Sequence, residues 1–308
     1  MRQPQFFALL LLSSLAVASA SAQAWTQPAG NAYLKVAHGR TAVHEQFDLD
    51  GNVIPFIEGV AGDTFLDRSV YLYGEFGVIP GFTFVAMVPI KNLTVIVDEG
   101  IEQATVGIAD IEVRGRLDLR PLLGATGGAL ASAFSVGARL PTGYTRNLSP
   151  SVGSGQLDLH MSLSLGRSFH PVPVYAQASA GFENRSRVFG LSRTIDCTGS
   201  NDIPCIPADE PDFDNEWLYS AEVGVSAGSR ILIQFLLNGI RSVNAPEELF
   251  DVTNPIPTRR RFTKLGSGVT VAVGKGVGAS LQIFRTASGR NTIRATEYFF
   301  GLEYKITR

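Results

Sequence analysis

The stretch Ile111–Leu119 reads I-E-V-R-G-R-L-D-L, and the four residues before it are Gly107-Ile108-Ala109-Asp110. Apolar or small residues alternate with charged ones from Ala109 to Leu119, which is the two-residue period of a β-strand with one apolar and one charged face. In a soluble sandwich the apolar face would form the core and the charged face would meet solvent. This strand alone is therefore compatible with a soluble sheet or a membrane sheet, and only the rest of the chain distinguishes the two.

The N-terminus has the features of a secretory signal peptide. Arg2 is followed by the apolar run Phe6–Val17 and then by small residues up to Ala24. The run is too short to cross a bilayer as a helix, nothing apolar follows to lengthen it, and the A-x-A pattern marks a cleavage site. We predict a signal peptide over residues 1–24, cleaved after Ala22 or Ala24, and export from the cytoplasm.

Composition narrows the class of the remaining chain. No later segment approaches eighteen consecutive apolar residues, so the sequence predicts no membrane helix. The formal net charge of −2 argues against a nucleic-acid partner. No linker rich in Pro, Ser or Gly interrupts the chain, and we therefore predict a single domain over residues 25–308, either soluble or a β-barrel.

The same alternation recurs along the whole domain. It is clearest in Gln156–Leu165, and another strand is predicted as one continuous run from about Ala104 to Leu119, after a loop over 91–103. Short turns such as Ile79-Pro80-Gly81 alternate strictly with long polar loops, and aromatic residues lie near the strand ends of the apolar face. We predict an all-β fold, a single transmembrane antiparallel up-and-down β-barrel of about twelve strands of the bacterial outer-membrane type. Only a closed sheet leaves no backbone group unsatisfied in hydrocarbon.

Three short pieces, Val88–Ile90, Val106–Ile111 and Arg139–Gly143, resemble the outer-membrane family named for the meta-pathway of phenol degradation. The closing piece Phe299–Tyr304 is similar to the last strand of that family. The resemblance implies a barrel that passes small, often aromatic or otherwise hydrophobic compounds, and it implies no catalytic residues.

The polar face carries charges of both signs that point into the predicted lumen, the space enclosed by the barrel. They can form a structural ladder of ion pairs, a constriction that filters solutes by charge and size, or both. The predicted pore-lining residues are Glu75, Asp110, Glu112, Arg114, Arg116, Asp118, Arg139, Asp158, His160, Glu183, Arg185, Glu222, Lys264, Glu303 and Lys305.

Two further pairs of residues suggest other chemistry. His160 and Ser162 lie on one face of a strand, which raises the alternative of a lipid hydrolase, but both point inward and a nucleophile needs a base with its own orienting group. Cys197 and Cys205 lie in a long loop of an exported chain, so we predict a disulfide between them. No residue spacing predicts a metal site or another cofactor, and the acids near the cysteines do not follow a calcium-ligand pattern.

Together these patterns predict a channel or transporter in the bacterial outer membrane. It would pass small solutes, hydrophobic or aromatic ones included, through a polar charged lumen. Its partners would be outer-membrane lipid, the solute and the barrel-insertion machinery, with no nucleic acid. The short turns would face the periplasm and the long loops the outside. The alternatives are the lipid hydrolase and a non-conducting barrel that displays its loops for binding.

Overall fold

The computed structural model describes residues 23–60, 62–98, 101–121, 130–142, 144, 150–189, 213–250 and 257–308. These residues form one antiparallel sheet of fifteen strands. The strands are β1 Ala32–Phe47, β2 Val53–Pro55, β3 Phe65–Asp67, β4 Val70–Ile79, β5 Phe82–Asp98, β6 Ile101–Ile108, β7 Ile111–Asp118, β8 Ala131–Leu140, β9 Gln156–Ser168, β10 Val174–Phe189, β11 Glu216–Ala227, β12 Ile231–Ser242, β13 Arg261–Gly274, β14 Val277–Arg290 and β15 Thr292–Ile306.

The sheet closes on itself. β1 pairs with β15 from Ala32 opposite Ile306 to Phe47 opposite Thr292, and its other edge pairs with β4. β2, β3 and β6 extend the sheet at one end, which leaves twelve spanning strands in the order β1, β4, β5 and β7 to β15. The predicted all-β, twelve-stranded antiparallel barrel is confirmed. The end that holds Asn31, Arg308 and the tight turns, such as the one at Gly81, is called the inner end here, and the opposite end the outer end.

The barrel is apolar outside and polar inside. On β9, Leu163 and Leu165 are 47% and 44% exposed, whereas Ser162 and Ser164 are 7% and 1% exposed. A soluble domain buries its apolar face, so this inversion indicates that the outer face meets hydrocarbon. None of the described residues forms a helix long and apolar enough to cross a membrane.

The stretch from Gly107 to Leu119 contains a β-bulge that the alternation did not predict. β6 and β7 both pair with β5, but Ile90 lies opposite Ile108 while Met87 lies opposite Glu112, which leaves one extra residue between the two registers. The extra residue turns Ala109 inward beside Asp110, and both are buried. The prediction of one continuous strand with Ala109 on the lipid face was therefore wrong.

Two predicted connections also differ. The loop predicted over 91–103 is largely strand, because β5 continues to Asp98 and β6 begins at Ile101. The strict alternation of short and long connections fails between β14 and β15, which are joined at the outer end through Asn291 alone. Asn291 takes the left-handed conformation, with φ of 53°, that such a tight reversal requires and that Asn tolerates better than most residues.

Candidate functional site: the barrel lumen

The predicted pore-lining side chains lie on the inward face, and the structure gathers most of them into groups along the barrel axis. A group at the outer end forms one continuous ion-pair network. Its members are Arg139, Asp158, Glu183, Arg185, Glu216 and Arg260. Arg139 donates to Glu183 at 2.8 and 3.1 Å, and Glu216 accepts from Arg260 at 3.0 and 3.2 Å.

This outer network is electrically balanced and its acids are buried, although Arg139 and Glu183 border the outer cavity described below. The side chains of Asp158 and Glu216 are fully buried, and that of Arg185 is 3% exposed and lies 4.2 Å from the ring centroid of Phe213. Buried charges persist only when they are paired and hydrogen-bonded, so the network holds strands β8 to β11 and the start of β13 in place. The sequence analysis did not predict two members of the network. Glu216 shares its face of β11 with Glu222, and Arg260 immediately precedes β13.

Two other ion pairs face the open lumen. Glu112 accepts from Arg114 at 2.5 Å on β7, and Lys264 of β13 donates to Glu297 of β15 at 2.5 Å. The acid of each pair is 13% exposed and the base 20%, which makes these acids more accessible than those of the outer network. β7 and β13 are six places apart in the ring of twelve strands, so the two walls that carry these pairs face each other across the lumen.

Aromatic side chains form another part of the lumen wall. The ring centroid of Phe299 lies 5.8 Å from that of Tyr71 and 6.0 Å from that of Phe284, both in edge-to-face geometry. Lys91 donates to the Tyr71 hydroxyl at 2.9 Å. These rings lie on β14, β15 and β4, and β1 lies between β15 and β4 in the sheet. The sequence pattern placed Tyr71 on the polar face of its strand. It predicted clusters of aromatic residues only for the lipid face, although Phe299 shares its alternation with Glu297 and Glu303.

Two cavities that the described residues enclose in the lumen share part of their lining. The outer cavity, of about 390 Å³, lies between the Arg114 and Lys264 walls, and the inner cavity, of about 360 Å³, lies against Tyr71. Phe284 and Phe299 line both. A solute that moved from one cavity to the other would therefore pass the aromatic rings with charged groups within reach.

Residues 23–28, called the N-terminal segment, lie inside the inner end of the barrel. The backbone amide of Ala24 donates to Gln177 at 3.3 Å, and the ring of Trp25 packs edge-on against Tyr175 with centroids 5.9 Å apart. Gln27 donates through its backbone amide to Thr83 at 2.7 Å and through its side chain to Glu75 at 2.7 Å. The segment thus narrows the lumen at the inner end, and its first residue, Gln23, lines both cavities. No sequence pattern indicated this feature.

The remaining predicted charges at the inner end are held by neighbours. Arg116 donates to Glu75 at 3.1 Å and to the Trp25 carbonyl at 3.0 Å, so this pair anchors the N-terminal segment. Lys35 and Glu303 form an ion pair at 3.4 Å, and Lys305 lies one inward position below Glu303.

Glu222 accepts from Gln177 at 2.9 Å and from Gln234 at 2.6 Å and is also bonded to the Tyr175 hydroxyl. Asp118 is bound by Arg120 at the rim, with a shortest contact of 2.6 Å. These acids are therefore structural anchors of the inner end.

Asp110 does not border the open cavities. Its carboxylate accepts hydrogen bonds from the Tyr144 hydroxyl and from the backbone amide of Ser154, the latter at 3.0 Å, and Tyr144 in turn accepts from the amide of Gly155 at 2.6 Å. Burial and the neighbouring carboxylate raise the pKa of the Tyr144 hydroxyl. The bulge thus presents Asp110 as the anchor that holds Tyr144 and Ser154, two described residues of the connection between β8 and β9.

The pair His160 and Ser162 has part of the geometry of a nucleophile and its base. His160 Nε2 lies 3.1 Å from Ser162 Oγ, but Nδ1 lies 3.9 Å from the nearest Glu183 oxygen, too far for a hydrogen bond. Glu183 is held by Arg139 instead, so the orienting group that a catalytic His requires is engaged elsewhere. Both side chains line the outer cavity and have no access to lipid.

Cys197 and Cys205 lie outside the described residues, so their disulfide stays a prediction. Among the described residues, no group of His, Cys, Asp and Glu has the arrangement of a metal site.

The fold is similar to that of solved outer-membrane proteins. The structure of the COG4313 outer membrane channel from Pseudomonas putida F1 matches with a TM-score of 0.68 and 10% identity, over 92% of this chain and 98% of that chain. The translocator domain of the autotransporter NalP from Neisseria meningitidis matches with a TM-score of 0.50 and 12% identity, over 91% of this chain and 90% of that domain. No family model and no curated protein matches the sequence.

Proposed function

We propose that this protein is an outer-membrane channel for small solutes that combine an aromatic or otherwise apolar part with a polar group. The observation that carries the proposal is the lining of the two cavities, where the rings around Phe299 face the same space as the pairs Glu112–Arg114 and Lys264–Glu297. The similarity to the Pseudomonas putida channel supports the fold on which it depends.

The size and chemistry of the cavities suit such a solute. Volumes of about 390 and 360 Å³ lie at the lower end of the range for small-molecule sites, about 300 to 1,000 Å³. An aromatic solute can pack edge-to-face against Phe284 and Phe299. A carboxylate, hydroxyl or amine on the same solute can exchange hydrogen bonds with Arg114 or Glu297 on the accessible walls.

The proposal includes the wider setting of the chain. The signal peptide is removed by cleavage after Ala22, the first of the two predicted sites, so that Gln23 and Ala24 stay in the barrel. The barrel-insertion machinery inserts the mature chain into the outer membrane, with lipid against the apolar outer face. The chain acts as a member of the meta-pathway phenol-degradation type of barrel and not as an enzyme. In this setting the predicted pore-lining residues divide into those that frame the barrel, such as Asp158 and Glu75, and those that meet solute, such as Arg114 and Lys264.

Proteoliposome uptake tests the proposal. Wild-type protein should equilibrate benzoate or phenol-sized aromatic solutes faster than empty vesicles do, and faster relative to a sugar of similar mass. Phe299→Ala should reduce this preference, because it removes the ring that borders both cavities. Phe300→Ala is the matched control, since Phe300 is the next residue on β15 and faces lipid. Aromatic uptake no faster than in empty vesicles would refute the channel, and an equal loss in both variants would refute the role of the aromatic wall.

A further inference from the structure

Three arginines lie side by side on the outer surface of the barrel. Arg241 of β12 is directly opposite Arg261 of β13, which is directly opposite Arg290 of β14. Their positions alternate with inward residues such as Phe262, so the side chains point away from the lumen. Neighbouring strands are about 4.8 Å apart, which places three positive charges in a row within about 10 Å.

Among the described residues, the row has no carboxylate paired with it. In the described part of the chain, none of these guanidinium groups forms an ion pair with a carboxylate, and the buried Nε of Arg261 donates no hydrogen bond. The acid that acts electrostatically on Arg261, Asp214, accepts hydrogen bonds from the backbone amide of Asn244 at 2.5 Å and from its side-chain amide at 3.2 Å. Like charges directly opposite each other on a sheet are destabilising, so an anion bound against the row would relieve the repulsion.

Further arginines extend this basic surface around the barrel. Arg285 lies below Arg290 on β14, and Arg40 of β1 lies beyond it across β15. Both line a groove of about 620 Å³ on the outer face, together with Tyr298 and Phe300. Arg294, which also lines the groove, is paired with Glu45 at 2.7 Å. The groove thus combines aromatic rings with cationic groups, and it also includes the acids Glu45 and Asp63.

The height of the row fits the level of lipid head groups. A tilted barrel strand climbs about 2.5 Å per residue along the membrane normal. Arg241 near the outer end of β12 therefore lies about 25 Å above Ile231 at its inner end, which is about the height of the apolar band of such barrels. The apolar side chains of β12 to β14 fill the interval below the row.

We propose that this surface, Arg241, Arg261 and Arg290 with Arg285 and Arg40, binds the phosphate groups of lipopolysaccharide in the outer leaflet. The inference rests on the proposed outer-membrane location and on the orientation of the barrel, but not on solute passage. Arginine is the side chain best suited to phosphate because its planar fork donates two parallel hydrogen bonds. The phosphate of a lipid reaches this level while the acyl chains of the same lipid pack against the apolar band. Tyr298 and Phe300 lie between the apolar band and the arginines.

The test uses the purified barrel in non-ionic detergent and measures the binding of lipid A by native mass spectrometry. Bisphosphorylated lipid A is compared with the same lipid after enzymatic removal of both phosphates, and with inorganic phosphate as a competitor. The triple variant Arg241→Gln, Arg261→Gln and Arg290→Gln should bind bisphosphorylated lipid A about a hundredfold more weakly than wild type, since each basic residue near such a surface contributes about fivefold. Its thermal unfolding without lipid should be no earlier than that of wild type, because the substitutions relieve repulsion.

Arg167→Gln is the matched control, because Arg167 also points outward but stands at the inner rim on β9. It should leave lipid A binding unchanged. Wild-type binding that survives removal of both phosphates would overturn the proposal, as would a triple variant that binds as tightly as wild type. Full displacement by inorganic phosphate at matched concentration would identify a general anion site instead. The comparison of the two lipids on wild type tests the proposal even if the triple variant does not fold, and solute uptake on the same samples tests the channel separately.

Discussion

Neutralising Glu216 should destabilise the barrel far more than neutralising Glu112, although both are inward-facing acids paired with arginine. Glu216→Gln removes the carboxylate that lies between Arg260, at 3.0 Å, and Arg185, at 3.3 Å. Two guanidinium groups would then face each other in a site where the acid is completely buried.

The structure sets the size of this effect. Breaking a buried ion pair by removing one partner costs about 3–5 kcal/mol, because the other charge stays buried without compensation. Arg185 keeps a second acid, Asp158 at 3.8 Å, and the ring of Phe213, so we expect the lower end, about 3 kcal/mol. Glu112→Gln leaves one arginine, Arg114, which is 20% exposed to the lumen and can be hydrated, so we expect about 1 kcal/mol.

Urea-driven equilibrium unfolding from phospholipid vesicles, followed by tryptophan fluorescence, measures both values under one condition. Each variant replaces one carboxylate by one amide, so the two substitutions change the side-chain volume by the same amount. If the two substitutions cost the same free energy within about 0.5 kcal/mol, which is the resolution of such comparisons, the division of the lumen charges into a buried frame and a solute-facing set is wrong.

Three other predictions concern the lipid and lumen faces of the barrel and the path of ions and solutes through the lumen. Leu163→Lys should lower the free energy of unfolding by about 2–4 kcal/mol because it places a charge in the lipid, whereas Ser162→Lys should have a much smaller effect, and equal effects in the same vesicle assay would contradict the assignment of the faces. Arg114→Ala should shift single-channel ion preference towards cations, because it leaves the accessible Glu112 unpaired, and an unchanged reversal potential in a salt gradient would count against a charge filter. Trp25→Ala should raise single-channel conductance by loosening the N-terminal segment, and identical open-state currents would show that the segment does not limit the path.

Alternation predicted the direction of most side chains, and together with the connection lengths and the aromatic residues near strand ends it predicted the barrel. Each inward position on β9 and β10, from Asp158 to Arg185, follows from a two-residue period that lipid on one side and a polar lumen on the other enforce. The pattern was lost at Ala109, because a bulge adds one residue and reverses the parity of everything before it. A bulge leaves no compositional mark in Gly107-Ile108-Ala109-Asp110, since small and apolar residues suit either face.

The candidate site was predictable only in part, for a different reason. Alternation tells which side of the sheet a residue faces, but not which residues meet across the lumen. The pairing of Lys264 with Glu297, two strands apart, and the meeting of Tyr71 with Phe299 depend on closure and on strand stagger, which the order of residues does not reveal. The N-terminal segment has no periodicity at all, and its position depends on contacts with strands far away in the chain.

That segment has a mechanical consequence. Gln27 is fastened to β4 and β5, while Ala24 and Trp25 are fastened to β10 on the other side of the ring. A cylinder one sheet thick resists stretching along its hydrogen bonds but flattens easily into an oval. A segment bound to both walls, as the N-terminal segment is, opposes that change of cross-section. The inner end of this barrel is therefore stiffer against lateral pressure from the bilayer than the same ring of strands would be without its first few residues.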